Sequence, residues 1–157
     1  MLRSVFGLAS VALILAACGA SNSASTTSPF RDRTAAYIGL VHAYHDKYVA
    51  ARGDGYNYCV VEVDAPRCGE RGAAMIAVWQ QFLQDLDRTP APPRFAPDDR
   101  TVRGQLPKGI GDLQAMVVAA GKGDKDAVLA AANEYISDMV PTVTDALGDV
   151  YAPWRDE

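Results

Sequence analysis

The sequence predicts an all-α domain, an up-down antiparallel four-helix bundle occupying residues 29–157. Three observations predict it. Apolar residues recur with a 3.6-residue period in four long segments, in stripes wide enough for the buried face of a globular helix rather than a coiled-coil seam. No segment shows the apolar–polar alternation of a half-buried strand. Short clusters of Gly, Pro and Asp separate the segments, and these residues end one helix and cap the next. Short connections make sequential helices antiparallel neighbours.

The first helix is expected over residues 29–51. Ser28 offers a hydroxyl N-cap, and Pro29 fits the first helical position, where its missing N–H costs nothing. Tyr37, Val41, Tyr44 and Tyr48 form its stripe, widened by Leu40 and Ala51, and Gly53-Asp54-Gly55 ends it. Residues 56–63 read as an irregular or extended crossover. The second helix starts at Asp64, an N-cap, followed by Ala65-Pro66. Cys68, Gly72, Met75, Trp79, Phe82 and Leu86 give it a continuous buried face. Pro90-Ala91-Pro92-Pro93 cannot be helix interior and reads as a stiff link, with Phe95 folding back onto the core.

The third helix is expected from about Pro97, with Asp98 and Asp99 favourable at its positive end. Its stripe is Val102, Leu106, Ile110, Leu113, Val117 and Ala120, interrupted at Pro107. Gly121-Lys122-Gly123-Asp124 makes a turn into a fourth helix over residues 125–150. That helix carries Val128, Ala132, Ile136, Met139, Val143, Leu147 and Val150 on one face, with Pro141 inside it. Counted from the turn, Pro107 and Pro141 fall at similar heights in an antiparallel pair, so matched kinks of helices three and four are expected. A waist opened by such kinks is where a ligand pocket beside Tyr44 and Tyr48 is sought. The alternative is an ordinary solid core whose tyrosines reach the bundle rim.

The first 17 residues are of a different kind. One cation, Arg3, precedes an apolar run from Val5 to Leu15, too short for a bilayer core and typical of a secretory signal. The run ends in Leu15-Ala16-Ala17-Cys18. This tetrapeptide resembles the bacterial lipobox: a Leu, two small residues and a Cys. The resemblance implies diacylglyceryl transfer to the Cys18 thiol and cleavage just before it. A conventional secretory cleavage nearby is the alternative, but it leaves an odd cysteine unexplained. Two acyl signals on one cysteine suffice for stable anchoring. Residues 19–27, rich in Gly, Ala, Ser, Asn and Thr, read as a flexible tether, so the lipidated tether is residues 18–28. The mature chain has fourteen Lys and Arg against nineteen Asp and Glu, a net charge of −5. An acidic domain argues against nucleic acid as a partner.

Cys59 and Cys68 are the remaining even pair in an exported, oxidising setting, which predicts a disulfide. A ring of about ten residues stabilises the fold by about 2.7 kcal/mol in the loop-entropy model. A metal-binding pair is the alternative, but thiolate sites commonly have a second pair or closely spaced histidines. His42 and His45 stand at i, i+3 and are the weak candidates for a metal; boundary histidines at the core edge are the plainer reading. Glu134, Asp138, Asp145 and Asp149 make an acidic, solvated stripe on the fourth helix. No cofactor is expected. The di-iron Glu-x-x-His pair, the haem-attachment motif, the nucleophile elbow and the phosphate loop are all missing from the sequence.

Trp79-Gln80-Gln81-Phe82-Leu83, followed by Pro90-Ala91-Pro92-Pro93-Arg94-Phe95, resembles small all-α lipoproteins of high-GC bacteria over residues 73–151. The resemblance implies an envelope-anchored helical domain and no catalytic residue. The expected function is a non-enzymatic binding or protein-interaction module, lipid-anchored on the extracytoplasmic face of the bacterial cell membrane. Its partner is an envelope protein or a small ligand. A carrier or sensor of an apolar or amphiphilic molecule is the alternative, and an enzyme the least favoured reading.

Overall fold

The computed structural model describes residues 29–156. The signal segment, Cys18 and the tether lie outside the described residues. Five α-helices run in order: α1 (Pro29–Arg52), α2 (Ala65–Arg88), α3 (Ala96–Gly121), α4 (Lys125–Glu134) and α5 (Val140–Gly148). Two π turns, Asn57–Val61 and Tyr135–Met139, and two 3-10 turns, Pro93–Phe95 and Ala152–Asp156, complete the path. The described residues contain no strand.

Local chemistry sets the boundaries. α1 stops where Gly53 takes φ +48°, a left-handed conformation that a Cβ would oppose. Asp64 caps α2 by accepting from the Arg67 N–H at 3.2 Å. Asp124 does the same for α4 through the Ala127 N–H at 3.1 Å, just after Gly123 turns the chain at φ +69°. The crossover, expected to be irregular or extended, is a π turn over Asn57–Val61. Cys59 within it is buried and joined by a disulfide to Cys68 in the first turns of α2.

The single fourth helix expected from the sequence is corrected to α4, a π turn and α5. Pro141 is the physical reason. It has no N–H, and in a regular helix its ring would strike the carbonyl four residues earlier. The backbone widens just before it, and the Val140 N–H bonds the Tyr135 carbonyl, five residues back. Pro141 then occupies the first turn of α5, where proline is tolerated.

The core fills the space among the helices. α3 packs against α2, α4 and α5, and α1 packs against α2. Two glycines allow close approach. A Cβ on Gly72 would come within 2.6 Å of the Met116 Cε, and one on Gly109 within 2.4 Å of the Met139 Cγ. An aromatic column runs through the centre: Trp79 lies 4.8 Å from Tyr48, 5.8 Å from Trp154 and 6.1 Å from Phe82, ring centre to ring centre. Trp154 comes from the C-terminal 3-10 turn, is fully buried, and donates its indole N–H to the Val41 carbonyl of α1 at 3.2 Å.

Candidate functional site

A cavity of about 100 Å³ lies between the two π turns. α1 contributes Tyr48 and Arg52, and the crossover contributes Gly55, Tyr56 and Cys59. Met75 of α2, Leu113 and Met116 of α3, and Ala132 of α4 form the opposite walls. Tyr135, Ile136 and Val140 close it from the second π turn and the start of α5. Both irregular turns therefore border one space. π turns widen a helix and re-aim its side chains, and they are frequent at functional sites.

One wall of the cavity is a buried hydroxyl network. The Trp79 indole N–H donates to the Tyr135 hydroxyl at 2.9 Å. Tyr135 is hydrogen-bonded in turn to Tyr48. Burial, above all, pushes the Tyr135 phenol well above its ordinary value, so it stays neutral and able to donate. The Arg52 guanidinium stands over the Tyr48 ring, 5.8 Å from its centre. Tyr56 at the rim is 59% exposed, so the cavity meets the surface there.

The residues singled out by sequence separate in the structure. Tyr48 lines the cavity, whereas Tyr44 does not. Tyr44, one turn earlier in α1, instead donates to Asp85 Oδ2 at 2.5 Å and stacks on Phe82 of α2. Burial, then the Asp85 bond, raises the Tyr44 phenol. Cys59 lines the cavity as one end of the disulfide. His42 and His45 lie elsewhere, 4.4 Å and 5.5 Å from the Tyr151 ring, and each faces the Asp46 carboxylate. Among the described residues, no group of three or more His, Cys, Asp or Glu side chains is arranged to hold a metal ion. The acidic stripe is met from other elements, Asp138 by Lys108 of α3 and Asp149 by Arg155.

Sequence reasoning missed Arg52, Met116 and Tyr135 as cavity residues. Met116 and Ala119 are buried where Val117 and Ala120 were expected; those two are only half-buried. Tyr135 takes the core place expected of Ile136, which sits at the cavity edge. A choice of the i+3 step over i+4 after Leu113 and after Ala132 identifies both.

Chemically, the lining offers neutral phenol donors, one guanidinium and a broad apolar surface. It holds no His, Asp or Glu to act as a base. Comparison with protein-family models, with curated proteins and with solved structures finds no match to this chain.

Proposed function

We propose that the chain is a lipid-anchored cell-envelope protein on the extracytoplasmic face of the bacterial cell membrane, and that its helical domain binds rather than catalyses. The observation that carries the anchoring is Leu15-Ala16-Ala17-Cys18 directly after a short apolar run with one leading cation. Feeding cells an alkyne-tagged fatty acid tests it. The wild-type chain should take the tag and sediment with membranes, and Cys18→Ala should lose the tag and keep its first 17 residues. A tag retained by Cys18→Ala, or absent from the wild type, rejects the anchor.

The cavity favours the small-ligand form of binding over a protein-interaction face. Among the described residues the exposed large apolar side chains are Tyr56, Val61 and Val118. The cavity, by contrast, is concave, mostly apolar and provided with a few placed polar groups, as ligand sites are.

The helices are proposed to form an up-down bundle, with α4, the second π turn and α5 acting together as its bent fourth member. Bends at Pro107 and Pro141 would share one level. Lys108 pairs with Asp138, and Gly109 packs on Met139, which supports that register. Residual dipolar couplings showing α3 and the α4–α5 path to be straight would reject the bends.

A further inference from the structure

The cavity wall divides by chemistry. Its depth is apolar, with Met75, Leu113 and Met116 all buried. Arg52 is the one charged side chain in the lining. Arg71 stands round the same turn, its guanidinium carbon 3.3 Å from where a Cβ on Gly53 would lie. Arg71 is not part of the lining, so Arg52 is the charged side chain that meets the cavity.

We propose that this cavity holds the apolar end of a small carboxylate amphiphile, with the carboxylate at Arg52; the inference rests on the reading of the domain as a binding module. An apolar cavity of about 150 Å³ takes a benzene ring, so the volume here suits a chain end of about four carbons. The two methionines adapt their shape at low cost and so fit a tail of variable form. The planar guanidinium matches a carboxylate through paired N–H donors. A bilayer lipid chain would leave most of its length outside so small a space, in water. The occupant is therefore a free anion rather than a membrane lipid.

Methionine-methyl NMR on the mature acylated chain in lipid nanodiscs tests this. Met75 and Met116 line the cavity, and Met139 packs outside its lining against Gly109, so it serves as the internal control. Pentanoate is the probe, compared with 1-pentanol and pentylammonium. The expected result is a saturable shift of the Met75 and Met116 methyls, with Met139 little moved. Arg52→Gln should weaken pentanoate about tenfold and leave 1-pentanol unchanged. Ala132→Leu, which fills the cavity from α4, should abolish the response while the Met139 signal reports an intact fold. The proposal is overturned if pentanoate gives no saturable shift, if pentylammonium binds equally well, or if Arg52→Gln binds like the wild type. Shifts that follow the nanodisc lipid and not pentanoate would place a bilayer chain there and also overturn it. The same titration of Cys18→Ala, which carries no acyl group, should give the same Met75 and Met116 shifts, so failure of the cavity and failure of the anchor are told apart.

Discussion

At the scale of single residues, the tyrosines divide between packing and hydrogen bonding. Tyr37 is buried, donates to Asp99 Oδ1 at 3.1 Å and stacks on Phe95. Asp99 also accepts from Arg103 Nε at 2.7 Å, so the one buried carboxylate of this region has two partners. Tyr44 holds Asp85 below the ordinary carboxylate value, chiefly through its own hydrogen bond. A depressed carboxylate adds stability above its unfolded value, about 3.9, and loses it as pH falls through the lower folded value. Tyr37, Tyr44 and Tyr135 are raised, burial first, so their contribution is full below about pH 10 and is lost as pH rises beyond it. Urea unfolding followed across pH should therefore show a plateau with a fall at each end. Tyr44→Phe should shrink the acid fall, leaving the part due to Asp138, which Lys108 also depresses. An unchanged acid limb in Tyr44→Phe would refute the assignment. Val63 stands apart: it holds φ +48°, a conformation costing a β-branched residue about 1–3 kcal/mol. It lies inside the loop that the Cys59–Cys68 bridge closes.

At the scale of elements, periodicity made α1, α2 and α3 legible almost to the residue. The α2 stripe from Cys68 to Leu86 is buried throughout, and Asp64 caps it as its side chain suggests. The π turns were not legible. Each inserts a residue into the hydrogen-bond ladder without a compositional mark, yet Met139 at the end of the second turn and Val143 and Leu147 beyond it keep the expected face. Tyr135 in place of Ile136 has a simpler cause, an i+3 step after Ala132 where i+4 was expected. Trp154 was missed for another reason: a single aromatic after the last helix has no period, yet it fills the centre of the core. Close approach of α3 to the second π turn yields a paired prediction. Gly109→Ala should destabilise by about 1–3 kcal/mol, because its Cβ would overlap Met139. Gly104→Ala and Gly111→Ala, with nothing within 4 Å, should each stabilise by up to about 1 kcal/mol through helix propensity. Chemical denaturation of the three variants decides the matter; equal effects at all three positions would contradict the close contact.

At the scale of the whole molecule, the disulfide joins the crossover to α2 beside the cavity. Replacing Cys59 and Cys68 together with Ser should cost about 2–3 kcal/mol, measured by calorimetry at pH 7. Unaltered stability would mean that the bridge adds nothing to the fold. The site was legible only in part: Tyr48 stands on its expected face and Cys59 is paired with Cys68 as expected, but their meeting with Met116 and Tyr135 depends on tertiary packing that no local pattern encodes. The proposed anchor, conversely, rests wholly on the sequence. Intact-mass analysis of the protein extracted from native membranes tests the central claim most directly. The account predicts a chain beginning at Cys18 and carrying the mass of a diacylglyceryl group with its acyl chains. A chain whose Cys18 carries no added mass would contradict it.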